Sequence, residues 1–173
     1  FTGSSLDSID GVHFSKKREI SLTVAISLTK SGKPDLAVKK LTEIGIDELV
    51  IFAGENSIPL WDASKQTRNE QRFSRIIQAA VEQSKGVWLP KLKFLPSFSA
   101  VAQISNMAIA DFHGEQISES RRCIAIGPEG GWSPTEYSFD LPKVKLSHQV
   151  LRAETAAIVA GTVMSAFRDF REK

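Results

Sequence analysis

The sequence predicts an α/β domain built on a mostly parallel sheet with flanking helices. Three observations predict it. Apolar runs of strand length alternate with segments of helical spacing along the whole chain. One of those runs, Cys123 to Ile126, is apolar throughout, as in a strand covered on both faces. The 173 residues, 42% hydrophobic and 24% charged, suffice for one ordinary domain with a sizeable core.

The elements follow in order. Phe1 to Lys17 is polar and turn-rich, with an extended patch around Gly11 to Phe14. Glu19 to Leu28 alternates Ile20, Leu22, Val24, Ile26 and Leu28 with smaller or polar partners, the period of a strand. Lys30 to Pro34 makes a turn. Asp35 to Ile44 carries Ala37, Leu41 and Ile44 at helical spacing, and Gly45 ends that helix. Glu48 to Ala53 is a strand, and Gly54 to Gln66 is a loop containing Trp61. Thr67 to Ser84 is an amphipathic helix with Phe73, Ile76, Ile77 and Ala80 on one face. Lys91 to Leu95 is a short strand, Pro96 to Ser105 a helix and Met107 to Ala110 a strand. Cys123, Val144 and Leu151 to Phe170 mark two further strands and the last helix.

Composition sets limits on function. The net charge of +2 neither demands nor excludes nucleic acid, because clustering matters more than the total. Clusters occur at Lys16-Lys17-Arg18, Lys39-Lys40, Lys91 with Lys93, and Arg121-Arg122. Each reads first as a solvated surface and second as an RNA contact. The single Cys123 has no internal disulfide partner and reads as a buried reduced thiol, which fits the cytoplasm. No segment has the apolar length of a bilayer span, and none has the pattern of a secretory signal.

Chemistry concentrates near the C-terminus. Ile124-Ala125-Ile126-Gly127-Pro128-Glu129-Gly130-Gly131-Trp132-Ser133-Pro134-Thr135-Glu136 reads as a buried strand, a glycine-rich turn and a new helix. Ser133, Pro134 and Glu136 form a capping box with proline at the first helical position. Leu146 to Ala157 is a second turn that delivers Arg152 at the mouth of another helix. Two such loops at the C-terminal ends of strands form a small-molecule site. There is no Gly-x-x-x-x-Gly-Lys-Ser/Thr phosphate loop. There is also no Gly-x-Gly-x-x-Gly after the first strand, so an ordinary dinucleotide site is disfavoured.

The Gly-Pro-Glu-Gly-Gly turn followed by Glu136, together with Val150-Leu151-Arg152-Ala153-Glu154-Thr155-Ala156, resembles the SPOUT superfamily of S-adenosylmethionine (SAM) methyltransferases. The similarity is strongest to its branch of small-subunit ribosomal RNA uridine-N3 methyltransferases. Asp35 to Gly45 and Glu82-Gln83-Ser84 add weaker matches, and the resemblance covers about residues 19 to 170. It implies a C-terminal trefoil knot, which periodicity cannot reveal and which general topology rules argue against. It also implies an amino-terminal β-barrel that binds RNA. Residues 1–18, beginning with Phe1, then read as a linker or remnant of that barrel, and 19–173 as the methyltransferase domain.

The resemblance further implies SAM in a slot lined by Ile126, Gly127, Gly130, Gly131, Leu146, Val150, Leu151 and Thr155. Gly130 and Gly131 leave room for adenine, and a third loop at Asp111 to Gly114 contributes. Lys39 or Lys40, with Arg152, would meet ribosomal RNA. A homodimer is expected, using an apolar face of the last helix at Ala156, Ala160, Val163, Phe167 and Phe170. After Gly86 the chain has Val87-Trp88 where relatives commonly carry arginine, which removes one expected RNA contact. Trp88 then reads as core, interface or base-stacking platform.

Methylation at uracil N3 requires loss of its proton, and the resulting charge spreads over O2 and O4. Arg152, permanently charged and planar, suits that anion. The plain alternative is a surface arginine paired with Glu154. Glu129 or Glu154 would act as base or orient Arg152, although Glu154 also favours its helix's first turn through the dipole. His148 reads first as a bystander and second as a possible base, and Ser147 lacks a triad's partners. His13 and His113 show no ligand spacing, so no metal is expected. Ribose 2′-O-methylation of another RNA, and a non-catalytic RNA- or ribosome-binding module, are the rival readings.

Overall fold

The computed structural model describes residues 18–28, 34–57 and 62–171. The expectations for Phe1 to Lys17, for most of the Lys30 to Pro34 turn and for Trp61 lie outside them. Six strands form one sheet in the order β3-β2-β1-β5-β4-β6, and every adjacent pair is parallel. They are β1 (Thr23–Ser27), β2 (Glu48–Phe52), β3 (Lys91–Leu95), β4 (Met107–Gln116), β5 (Cys123–Ile126) and β6 (Lys143–Lys145). The helices are α1 (Pro34–Ile44), α2 (Ala63–Ser84), α3 (Phe98–Ala102), α4 (Pro134–Tyr137) and α5 (Ala153–Arg171).

Side-chain alternation divides the core between the two faces of the sheet. Val24, Ile26, Leu49, Ile51 and Ile124 pack with Leu41 of α1, Phe73 and Ile77 of α2, and Ala157 and Met164 of α5. Ala25, Val50, Phe52, Ile109 and Ala125 face the other way, against Phe98 and Val101 of α3. Both faces are covered, which is why the central strands read as continuous apolar runs. Each fully buried large side chain contributes about 1.5–3 kcal/mol by leaving water. Cys123 is buried in this second layer, and burial pushes its thiol above the ordinary range.

Several boundaries differ from the sequence reading, each for a local reason. The first strand enters the ladder only at Thr23, because the Leu22 amide is taken by the Asp47 carboxylate at 2.9 Å. Helix α2 starts at Ala63 rather than Thr67. The Asp62 side chain accepts the Lys65 amide at 2.8 Å and caps it. Helix α3 is half the expected length: Ser97 is extended, and beyond Ala102 a turn leads to left-handed Asn106 at φ 59°. Strand β4 continues past Ala110 to Gln116. Its ladder with β6 jumps, since Ala110 and Glu115 both stand opposite Val144. The four residues Asp111 to Gly114 therefore bulge out within a strand, where a separate loop was expected. The Asp111 carboxylate accepts the His113 amide at 2.7 Å and closes this excursion.

Edge strand β6 leads into residues 146–152, which return across the C-terminal end of β5 and the excursion in β4. Helix α5 then packs on α1 and β1. This return brings the second sequence motif against the first.

Candidate functional site

The glycine turn is built outward from β5. Gly131 donates its amide to the Pro128 carbonyl at 2.9 Å and has φ 74°, a left-handed conformation that favours glycine. A side chain at Gly127 would strike the Trp132 indole, 2.9 Å from an ideal Cβ. That ring stacks on Phe52, with planes 5° apart, and leans on Phe98 at 4.8 Å. Its Nε1 donates to the Ala110 carbonyl at 2.9 Å.

The capping box predicted for α4 is present. Ser133 Oγ accepts the Glu136 amide at 3.0 Å, and Glu136 Oε2 accepts the Ser133 amide at 2.9 Å. Its other oxygen, Oε1, accepts the Glu55 amide at 3.0 Å. The buried Glu136 carboxylate thus ties the start of α4 to the segment after β2. Asn56 completes that tie by donating its side-chain amide to the Gly131 carbonyl at 3.1 Å.

In front of the turn lies an open cavity of about 800 Å³, within the size range of small-molecule sites. Three segments line it. Ile126, Gly127, Pro128, Glu129, Gly131 and Trp132 come from the first motif. Leu146, Ser147, Gln149, Val150, Leu151 and Arg152 come from the second. Ala110, Asp111 and Phe112 come from the middle of β4, where its excursion begins. Tyr137 adds a ring at the rim. Lysines of β6 lie over two rim rings: Lys143 Nζ is 3.7 Å from the Tyr137 ring centre, and Lys145 Nζ is 5.0 Å from that of Phe112.

The structure gathers most of the predicted residues here but not all. Gly130 is absent from the lining; an added Cβ would point at Asn56, 3.3 Å away. At Gly131 the same Cβ would meet nothing within 4 Å, so the open slot belongs to Gly131 alone. Thr155 is exposed on α5, away from the lining. Glu154 also stays off it, half-buried in the first turn of α5, where the helix dipole stabilises its charge. Arg152 reaches the cavity, and no salt bridge joins it to Glu154; its carbonyl accepts the Ala156 amide at 2.8 Å. Glu129 and Asp111 are the carboxylates of the lining. His148 lies outside it.

Lys39 and Lys40 sit on α1, away from the cavity. Lys40 pairs with Glu43 at 2.7 Å, and Lys39 is exposed. Trp88, 46% exposed, precedes β3 at the N-terminal ends of the strands, the opposite end from the cavity. It therefore does not stack a base at this site. On the last helix, Ala156 and Ala160 are spent on the chain's own core. Val163 and Phe167 are half-buried, and Phe170 is 76% exposed.

Sequence reasoning missed Asn56, Trp132 and Tyr137. Trp132 stood inside the quoted motif, and a large ring directly after two glycines was the available signal.

The cavity residues suit a nucleoside-type cofactor. Ile126, Leu146 and Leu151 give an apolar wall, and the Gly131 edge leaves open space. Val150, which also lines the cavity, is an apolar side chain that is 86% exposed.

Comparison with known proteins agrees with this architecture. The chain is 29% identical to "Ribosomal RNA small subunit methyltransferase E 2" of Borreliella burgdorferi, over 91% of this chain and 68% of that one. It is 25% identical to "Ribosomal RNA small subunit methyltransferase E" of Mycobacterium tuberculosis, over 80% of this chain and 60% of that one. The chain thus spans only part of these longer proteins. The crystal structure of a "probable rRNA-methyltransferase" from Porphyromonas gingivalis superposes with a TM-score of 0.78 at 26% identity, over 95% of this chain and 75% of that one. That of a "Ribosomal RNA small subunit methyltransferase E" from Neisseria gonorrhoeae, bound to S-adenosyl methionine, shares the fold at 0.69 and 22% identity, over 86% and 66%. A family model described as "RNA methyltransferase domain" matches residues 16–165, and the chain belongs to that family.

Proposed function

We propose that this chain is the catalytic domain of a SAM-dependent methyltransferase that acts on uridine N3 in small-subunit ribosomal RNA. The observation that carries the reading is the ligand-sized cavity in which the glycine turn and the Arg152 loop face each other. The names of the relatives supply the RNA class.

SAM, when bound, supplies an electrophilic methyl group. The protein's own residues do the rest. Ile126, Leu146 and Leu151 exclude water along an apolar wall, and Gly131 leaves the space a flat base needs. The tie from Trp132 to Ala110 fixes the spacing between turn and strand end. Uracil N3 must give up its proton as the new N–C bond forms. Glu129, a carboxylate of the lining, is assigned to accept that proton. Arg152 is assigned to the uracil carbonyl, where its fixed charge lowers the energy of the developing anion. Glu154 has no part in this assignment.

The test is nucleoside mass spectrometry of small-subunit ribosomal RNA incubated with the protein and SAM. The expected product is 3-methyluridine. A 2′-O-methylated nucleoside would replace the assignment with ribose methylation. SAM binding without any product would favour a non-catalytic RNA- or ribosome-binding module.

Two further assignments accompany this reading. The exposed Val150 and Phe170 are apolar surfaces that a second copy would cover, so a homodimer is proposed. Light scattering that gives a monomer at concentrations where SAM binds would refute it. The proposed location is the cytoplasm, where the buried Cys123 would stay reduced. Among the described residues, no helix is long and apolar enough to cross a membrane.

A further inference from the structure

Helix α2 buries a narrow stripe, Phe73, Ile77 and Ala80, and leaves most of its surface in water. On that surface stand Lys65, Arg68, Arg72 and Arg75, all exposed. Their 3-4-3 spacing confines them to an arc of about 80° that runs roughly 15 Å along the helix. Glu70 lies on the opposite flank, and no acidic residue within α2 stands three or four positions from Arg68 or Arg75. Their neighbours at those positions include the other cations, an arrangement that destabilises a helix through like-charge repulsion. Among the described residues Arg72 alone has an ion-pair partner, Asp35 of α1 at 3.2 Å. Lys39, exposed and one turn beyond Asp35, extends the cationic face onto α1.

The position of this arc is set by topology. The residues after β2 hold the glycine turn through Glu55 and Asn56, and α2 begins shortly after them. Helix α2 then runs back toward the start of β3. Its first turns, with Lys65 and Arg68, therefore lie at the cavity end of the sheet.

We infer that this arc is a docking track for the RNA phosphate backbone, leading a single strand toward the cavity. The inference rests on the RNA methyltransferase reading for its choice of polyanion. A row of cations, of which only Arg72 has an ion-pair partner among the described residues, is costly in the free helix and gains favourable partners when phosphates release their counterions there. The track also gives Lys39 the RNA role expected of it, while Lys40 is occupied by Glu43.

The test compares two charge-matched variants of the full chain, binding a fluorescein-labelled single-stranded oligouridine over a range of salt. Arg68→Gln with Arg75→Gln removes two charges from the arc. Lys85→Gln with Lys91→Gln removes two from the opposite end of the sheet. The arc variant should weaken RNA binding at low salt by roughly tenfold or more and lower the slope of log affinity against log salt by about 1.4, two contacts at about 0.7 each. The control should change neither. Equal losses in both variants, no loss in the arc variant, or no RNA binding by the parent would overturn the track. Preference for anionic vesicles over RNA would overturn it as well. SAM calorimetry on the same samples separates the two readings. Lost SAM binding with arc-dependent RNA binding refutes the methyltransferase reading alone, and intact SAM binding without arc dependence refutes the track alone.

Discussion

The Trp132 indole donates to the Ala110 carbonyl at 2.9 Å, so the glycine turn is fastened to the residue where β4 opens into its four-residue excursion. Two of the cavity's three lining segments thus share one joint. Trp132→Phe keeps the stack on Phe52 and Phe98 and removes only the donor. Loss of one such bond should cost about 1 kcal/mol of stability. SAM affinity should fall as well, because the two segments lose their fixed spacing. Urea unfolding and calorimetry on the same protein check both; unchanged affinity would show that the joint does not shape the site.

Arg168 and Asp47 provide a test of burial. The Arg168 side chain is 1% exposed and places Nη1 2.8 Å from the Asp47 carboxylate; Nη2 donates to the Gly45 carbonyl at 3.0 Å. Asp47 is 24% exposed and keeps a second cation, Arg18, at 3.5 Å. The two single removals are therefore unequal. Asp47→Asn leaves a guanidinium with almost no water and only the exposed Asp169 carboxylate, 3.7 Å away, and should cost about 3 kcal/mol or more. Arg168→Met leaves a carboxylate with partial solvent, Arg18 and the Leu22 amide, and should cost about half as much. Urea denaturation gives both values, and equal costs would contradict the asymmetry.

Short-range features are legible in the sequence. The apolar run of β5, the capping box at Ser133 and Glu136, and the glycine stop after α1 each depend on neighbours within a few residues. Relationships made by the fold were not legible. Asp47 and Arg168 are 121 positions apart. The excursion in β4 exists only because β6 pairs on both sides of it. The cations of α2 are clustered in angle and not in sequence, so a run of charge does not reveal them. Composition alone does not tell which of two adjacent glycines turns its α-carbon toward the cavity, and in the structure Gly131 lines it while Gly130 faces Asn56. That choice depends on the sign of φ at Gly131 and on the position of Asn56 behind the turn.

The two glycines consequently part company on substitution. Gly131→Ala places a methyl group in open space at the lining and forces a left-handed alanine, at about 1 kcal/mol. SAM affinity should fall by about tenfold, the equivalent of roughly 1.4 kcal/mol. Gly130→Ala meets the Asn56 side chain at 3.3 Å, outside the lining. It should cost some stability and leave SAM affinity nearly unchanged. Calorimetry on both folded variants decides; a greater loss of affinity at Gly130 would return the slot to that residue.

Arg152 carries the sharpest mechanistic prediction. Arg152 lines the cavity, and among the described residues no salt bridge to Glu154 holds its charge. If that charge steadies the uracil anion, its contribution appears as N3 loses its proton and is weak while the base is neutral. Arg152→Ala should then lower turnover by about a hundredfold, the scale of removing one donor to a developing anion. RNA and SAM affinities should change much less. Arg152→Lys should restore part of the rate, since it returns the charge without the planar fork. Raising the pH favours the uracil anion directly, so the alanine variant should gain more from alkaline conditions than the parent does. Single-turnover methylation over a pH series, alongside calorimetry, separates these outcomes. A normal rate in Arg152→Ala would remove the arginine from the chemistry, and a loss confined to RNA affinity would make it a phosphate contact.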